Sequence, residues 1–225
     1  MAHEGVESVE RALKILDAFS DGARELTLAD LTHRTGLVKS TVLRLCRSLE
    51  RYGYLTRTAA PSYRLGPTLW RLGSLYRATY DLAAHVRPVL VSLSNWFNES
   101  ASFFVEDRGV RVCLLREHPA REIRHNIEEG ARLPLEAGAA GHVLRAYSQQ
   151  DEKLLQRLRM RGYIVSMGER DPDIAAVAVP VVTREGAAVG ALCLSGLITH
   201  FDEAFQAACA EALIAAAGRL SLKIG

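Results

Sequence analysis

Residues 27–51 read TLADLTHRTGLVKSTVLRLCRSLER and contain two short helix patterns separated by a glycine. The first pattern starts at Thr27, a favoured N-cap residue, and Asp30 three positions later completes a variant of the capping box. Gly36 suits the left-handed residue that ends many helices. The second pattern covers residues 39–52. Two short helices joined by a tight glycine turn predict a helix-turn-helix.

The second of these helices is predicted to be apolar on one side and basic on the other. With about 3.6 residues per turn, four apolar residues fall on one face. That inward face consists of Val42, Leu45, Cys46 and Leu49. The opposite side carries Ser40, Arg44, Arg47 and Arg51. Such a stripe reaches base edges and phosphates while the apolar side holds the helix on its neighbours.

The spacing of apolar residues changes from helical to alternating after Gly53. Residues 54–58 and 62–65 predict a short hairpin around the turn at residues 59–61. A basic hairpin directly after a helix-turn-helix is typical of a wing, which contacts phosphates or a minor groove. The predicted DNA-contacting residues are Lys39, Ser40, Thr41, Arg44, Arg47, Arg51, Arg57, Ser62 and Arg64.

The charge of the chain is concentrated in this region. Residues 31–80 hold nine Lys and Arg residues and one acidic residue, Glu50, a local charge of +8, whereas the whole chain carries +2. A basic block indicates a polyanionic partner, and a solvated basic face is the ordinary alternative. The order of stripe, turn glycine and basic hairpin favours double-stranded DNA.

The rest of the chain predicts a mixed domain with an antiparallel sheet covered by helices. A helical segment at 68–78 continues, after a break near residue 80, into a helix at 86–97. The predicted strands are two hairpins, at 102–115 and 177–194, and two single strands, at 123–127 and 163–165. Three further helices are predicted: a short one after the run at 137–141, one at 151–161 and one at 202–223.

Composition narrows the class of protein. Hydrophobic residues make up 48% of the 225 residues, which is ordinary for a globular protein, and no apolar run reaches the length of a membrane span. The N-terminus has no secretory pattern, and the four cysteines stand apart, each in an apolar run, so we expect a cytoplasmic protein with reduced thiols. We expect no membrane partner, no cofactor and no metal site.

Catalysis is not expected, because the chain contains none of the common hydrolase, zinc-protease or phosphate-loop strings. His142 and Glu136 lie six residues apart. A surface histidine and a strand-end glutamate explain this pair better than acid–base chemistry, since no nucleophile accompanies them.

Seven stretches in order along the chain carry a family resemblance. They are VERALKIL at 9–16, TGLVKSTVLRL at 35–45, YRLG at 63–66, RLPLEA at 132–137, RGY at 161–163, AVPV at 178–181 and LSG at 194–196. Together they resemble the IclR family of bacterial transcription regulators. The resemblance implies an α+β protein with a winged helix-turn-helix domain at 1–67, a linker helix at 68–84 and a GAF-like effector-binding and oligomerisation domain at 85–225.

The chain departs from the usual family pattern at several positions. Val38 stands where members usually carry proline, and Glu136 where they commonly carry histidine. Ser166-Met167 replaces an acidic pair, and Ala176 replaces a frequent cysteine. The connection between Tyr147 and Arg161 is also shorter than usual. These changes remove polar anchors for small carboxylates.

By family position, the effector pocket is expected at nine residues: Phe104, Leu133, Ala139, Ala140, Gly141, Ser166, Ala176, Leu192 and Cys193. These residues are small or apolar, so we expect an aromatic or largely apolar metabolite rather than glyoxylate- or pyruvate-like acids. The run at 139–141 either offers backbone N–H groups to an anion or lets a helix pack closely on the sheet. The alternative function is a ligand-independent regulator whose C-terminal domain only oligomerises.

Self-association is also expected, since one helix-turn-helix contacts few phosphates. Two apolar faces, Val9/Leu13/Leu16 and Leu69/Leu72/Leu75, exceed what three small helices cover. The resemblance implies a homodimer or a homotetramer.

Overall fold

The computed structural model describes residues 5–79, 82–119 and 127–224. The chain forms two compact units that divide between residues 80 and 81. Both units combine helices with antiparallel sheet, so the predicted α+β class is confirmed. No helix in the described ranges has the length and apolar character needed to cross a membrane.

The first unit contains four helices and a small sheet. Its elements are α1 (Glu7–Asp17), β1 (Leu26–Thr27), α2 (Leu28–Thr35), α3 (Lys39–Arg51), β2 (Leu55–Arg57), β3 (Ser62–Leu65) and α4 (Pro67–Thr79). The strands pair antiparallel in the order β1-β3-β2. The predicted helix-turn-helix and hairpin are therefore present, and the short strand β1 extends the hairpin to three strands.

The turn between α2 and α3 follows the local sequence signals. Thr27 accepts a hydrogen bond from the Asp30 N–H, and Asp30 accepts one from the Thr27 N–H, so the capping box is complete. Gly36 ends α2 with φ of 67°, a left-handed conformation that suits glycine. Val42 and Cys46 of α3 then pack into a core that also contains Ile15.

The second unit is built on a six-stranded sheet. Its elements are α5 (Leu82–Phe97), β4 (Ser100–Asp107), β5 (Val110–Glu117), β6 (Arg132–Pro134), α6 (Ala139–Ser148), α7 (Glu152–Arg161), β7 (Ile164–Met167), β8 (Ile174–Val182), β9 (Ala188–Leu197) and α8 (Glu203–Ile224). The strand order is β6-β5-β4-β9-β8-β7. The predicted strand at 123–127 lies outside the described residues except for Ile127, which is not in a strand.

The sheet of the second unit separates two cores. On one face, α5 and α8 cover Phe103, Leu192 and their neighbours. On the other face, α6 and α7 cover residues that include Phe104 and Cys193. Neighbouring residues of a strand point to opposite faces, so adjacent positions on β4 and β9 belong to different cores.

Gly190 lies at the centre of this sheet, where no side chain fits. A Cβ there would meet the Phe103 ring and lie 2.6 Å from the Phe104 carbonyl oxygen. We expect Gly190→Ala to destabilise the protein by about 1–3 kcal/mol, because the core has to shift. Urea unfolding measures the change.

Gly218 provides the matched control, because an added Cβ meets nothing within 4 Å. Gly218→Ala in α8 is expected to stabilise by about 0.5–1 kcal/mol through helix propensity. Equal stability of Gly190→Ala and the unchanged protein would contradict the described packing of β9 on β4.

Candidate functional site

The exposed side of α3 is basic. Five of the six predicted DNA-contacting residues on α3 are exposed, and the sixth, Thr41, is half-buried. The exposed set is Lys39, Ser40, Arg44, Arg47 and Arg51. On the opposite side, Val42 and Cys46 have no exposed surface, so packing fixes which way the basic side faces.

The N-terminus of α3 is open. Val38 is the N-cap, and its side chain makes no capping hydrogen bond. The N–H groups of Thr41 and Val42 bond to the Val38 carbonyl oxygen, so the amides before them have no intrahelical acceptor. The φ of Val38 is −68°, a value that a proline would also adopt.

The wing arginines lie on neighbouring cross-strand pairs. Arg57 pairs with Tyr63, and Arg64 pairs with Thr56. Both arginines are exposed. Because side chains alternate along each strand, the two arginines project from opposite faces of the hairpin.

Ser62 occupies a different environment from the one expected of a wing tip. It is 5% exposed, and its hydroxyl bonds to Glu25 Oε2 at 2.7 Å and to Thr58 Oγ1 at 2.6 Å. This hydroxyl links the residue after β2 to the segment before β1 and is closed to a phosphate. We therefore remove Ser62 from the predicted DNA contacts.

A cavity of about 40 Å³ lies in the second unit, on the face of the sheet that α6 covers. Six of the nine predicted effector residues contact it: Phe104, Ala139, Ala140, Ser166, Ala176 and Cys193. The residues that the sequence interpretation did not include are Arg111, Ile127, Gly138, Arg170, Asp171, Ile174 and Ser195.

Three predicted effector residues lie elsewhere. Leu192 is fully buried in the opposite core, because it precedes Cys193 on β9 and faces the other way. Leu133 is half-buried on the edge strand β6. A Cβ at Gly141 would lie 2.7 Å from the Leu135 carbonyl oxygen, so this glycine permits close packing of α6.

Arg111 is the charged residue that sequence reasoning missed. It is 4% exposed, and its guanidinium carbon lies 5.4 Å from the centre of the Phe104 ring. Burial lowers the pKa of Arg111 by desolvation. The sequence did contain an indication of this position. Side chains alternate between the two faces along β5, and this alternation places Arg111 on the same face as the buried Cys113.

Polar contacts surround the first turn of α6. The Gly138 N–H donates to Glu169 Oε2 at 2.9 Å, and the Ala139 N–H donates to Ser166 Oγ at 3.0 Å. His142 Nε2 lies 2.6 Å from the same Glu169 oxygen. The partner of His142 is therefore Glu169, and Glu136 is exposed.

The four cysteines are free and buried. Burial raises the pKa of Cys46, Cys113 and Cys209 to about 12 and that of Cys193 to about 11. These thiols are therefore protonated near neutral pH. Within the ranges that the structure covers, no cluster of three or more His, Cys, Asp or Glu residues is placed to hold a metal ion.

Comparison with known proteins gives the family. The IclR helix-turn-helix domain matches residues 8–59, and the bacterial transcriptional regulator IclR C-terminal domain matches residues 152–222. The HTH-type transcriptional regulator XynR of Escherichia coli strain K12 is 30% identical over 98% of both chains. The chain belongs to the IclR family. It is a DNA-binding transcriptional regulator and not an enzyme.

Solved IclR structures share the whole fold. An IclR regulator from Alicyclobacillus acidocaldarius has a TM-score of 0.85 and 26% identity, covering 98% of this chain and 100% of that one. An IclR homolog from Microbacterium hydrocarbonoxydans, solved in complex with 4-hydroxybenzoate, has a TM-score of 0.82 and 21% identity over 97% and 99% of the two chains. The second likeness shows the fold alone. Both fit a winged helix-turn-helix with a GAF-like domain.

The raised thiol pKa values predict low reactivity in the folded protein. At pH 8, a thiol with a pKa of about 11 is deprotonated in roughly one molecule in a thousand. Titration with a thiol-reactive disulfide reagent is therefore expected to label none of the four cysteines rapidly under native conditions and all four in denaturant. Rapid native labelling of Cys193 would show that the cavity is more open than described.

Proposed function

We propose that this IclR-family regulator binds a double-stranded operator through α3 and the wing, and that its second unit senses a small, largely apolar metabolite. We divide the chain into a DNA-binding domain at 1–67, a linker at 68–84 and an effector domain at 85–225. Because its partner is genomic DNA, we place the protein in the cytoplasm. The observation that carries the DNA part is the basic, exposed side of α3 opposite fully buried residues.

The geometry of α3 suits entry into a major groove. Arg44 lies one turn into the helix on its exposed side, where a bidentate contact to a guanine edge is the commonest specific contact. Lys39 and Ser40 lie at the open N-terminus, where amide groups favour a phosphate. Arg44 is therefore the proposed base-reading residue, and the N-terminus sets the position on the backbone.

The wing arginines are proposed to act on the two sides of one groove. Arg57 and Arg64 project from opposite faces of the hairpin. A hairpin inserted edge-on into a minor groove faces one phosphate backbone on each side, so one arginine serves each strand. This arrangement supports affinity for any sequence rather than base discrimination.

The cavity supports the sensor part of the proposal. Its wall includes Phe104, Ile174 and Ala176, which favour an apolar ligand body. At about 40 Å³ it is much smaller than the roughly 150 Å³ cavity that admits benzene, so a ring enters only if the pocket widens. A ligand that requires widening binds one state of the protein better than the other, which is the condition for a switch. The homolog that binds 4-hydroxybenzoate supports an aromatic ligand of this kind.

We propose that the widening changes the linker at 68–84 and hence the spacing of two winged helices in a dimer. In the single chain, Val9 and Leu13 of α1 are 54% and 53% exposed, and Leu75 of α4 is 54% exposed. Leu16 is half-buried against the core of the first unit and contributes less to this surface. These exposed apolar residues support a homodimer, or a homotetramer built from it.

Arginine variants test the operator interface. Arg44→Ala is expected to weaken binding to a selected operator by about 1–3 kcal/mol and to relax base preference. Arg57→Ala and Arg64→Ala are each expected to weaken binding to all sequences and to flatten the salt dependence by roughly one unit. Gel-shift titrations at several salt concentrations measure both effects on a duplex selected from random DNA.

The control for these variants is Arg184→Ala, which removes an exposed arginine in the turn before β9. It is expected to leave operator binding unchanged. If Arg44, Arg57 and Arg64 also proved dispensable, the winged-helix interface would be wrongly placed.

The ligand class is tested by calorimetry with four acids. We expect benzoate and 4-hydroxybenzoate to bind more tightly than pyruvate and glyoxylate, because the rings bury more apolar surface. Tight binding of the small keto acids alone would contradict the apolar assignment. Binding of none of the four would favour a regulator whose second unit only oligomerises.

A further inference from the structure

Two arginines of β5 are buried to the same degree but have different surroundings. Arg111 and Arg116 are each 4% exposed. Arg116 donates from Nη1 to Ser102 Oγ at 2.8 Å, and its backbone N–H donates to Glu129 Oε1. Across residues 5–79, 82–119 and 127–224, no hydrogen bond or ion pair is made by the Arg111 side chain, and its contact is with the Phe104 ring. A buried charge without a partner is costly, so an anionic partner from outside the chain would stabilise it.

The Arg111 guanidinium is held against the first turn of α6. A Cβ built on Gly138 would lie 2.9 and 3.0 Å from its two terminal nitrogens, and one on Gly141 would lie 3.2 Å from the nearer of them. The absence of side chains at both glycines therefore makes room for the guanidinium. The positive end of the α6 dipole and a positive side chain thus meet at one point of the cavity.

Within the described residues, neither carboxylate near the cavity forms an ion pair with the Arg111 guanidinium. Glu169 acts electrostatically on Arg111, but its Oε2 accepts from the Gly138 N–H and contacts His142. Asp171 accepts from the Asp173 N–H at 3.2 Å. Arg170 and Asp171, which have opposite charges, both line the cavity. The N–H donors of Arg111 are therefore available to an anionic group of a ligand.

We propose that Arg111 is the residue that recognises a carboxylate group of the effector. This inference rests on the sensor function proposed above and specifies its ligand. The guanidinium fork binds the carboxylate, and Ser166 donates its hydroxyl proton, since its oxygen already accepts from Ala139. The apolar body of the ligand lies against Phe104 and Ala176.

The chemistry of the cavity favours a carboxylate over a phosphate. A planar carboxylate matches the two parallel N–H donors of a guanidinium and needs one positive charge. A phosphate dianion would bring more charge and a third anionic oxygen into a small, mostly apolar space. Arg111 thus adds a charged side chain to the backbone N–H groups at 139–141 that the sequence analysis considers for an anion.

The first experiment compares ligand-free Arg111→Met with Arg116→Met by thermal unfolding. Arg111→Met removes an unpaired buried charge and is expected to leave the melting temperature unchanged or to raise it by about 2 °C. Arg116→Met is expected to lower the melting temperature, because it leaves the Ser102 hydroxyl without its partner. A large drop for Arg111→Met would show that Arg111 is a structural residue and would overturn the proposal.

The second experiment measures acid-over-amide preference by calorimetry with acetate, benzoate and 4-hydroxybenzoate, each paired with its amide. The unchanged protein is expected to bind at least one acid roughly ten- to a hundredfold more tightly than its amide. This ratio corresponds to the free energy that a hydrogen bond to a charged group typically contributes. Arg111→Met is expected to lose this preference, and Arg116→Met is expected to keep it. No preference for any acid, or a preference that survives Arg111→Met, would overturn the assignment.

Operator binding separates this inference from the sensor function. If an acid binds through Arg111 but leaves operator affinity unchanged, the carboxylate assignment stands and the sensor function fails. If a ligand changes operator affinity equally in the unchanged protein and in Arg111→Met, the sensor function stands and the assignment fails.

Discussion

The sheet of the second unit packs against a core on each face, and this constraint decides which strand residues line the cavity. Along β9, Leu192 and Leu194 face α5 and α8, while Cys193 faces α6. A shift of one residue in the register of β9 would turn Leu192 and Leu194 toward α6 and turn Cys193 toward α5 and α8. Gly190 keeps the central strands close enough for this pairing.

In the first unit, core packing fixes the orientation of the helix α3. Val42 and Cys46 fix α3 on the core, so the rotation of the helix, and with it the direction of Arg44, is set by packing and not by DNA. The arginine side therefore faces outward in the free protein, and little rearrangement is needed on binding. In the proposed function, the DNA surface is preformed, whereas the cavity has to widen for a ring.

Local signals were sufficient to predict the helix-turn-helix. The capping box at Thr27 and the left-handed Gly36 depend only on residues a few positions away. Ser62 was misplaced because its partner Glu25 precedes β1, a strand of two residues that leaves no periodic pattern. Arg111 and Leu192 depend on which face of the sheet each strand position occupies, and this follows from pairing between strands far apart in sequence. The family resemblance placed the cavity, but the charge inside it required the structure.

In the proposed function, ligand binding to the second unit and operator binding by the first are coupled. Such coupling is reciprocal, so it is tested most directly by measuring how each ligand changes the affinity for the other. The Kd for a selected operator is measured with and without saturating 4-hydroxybenzoate, and the Kd for 4-hydroxybenzoate with and without saturating operator. We expect both constants to change by the same factor, about 5- to 150-fold for typical allosteric coupling. Two constants that each stay unchanged while both ligands bind would contradict it.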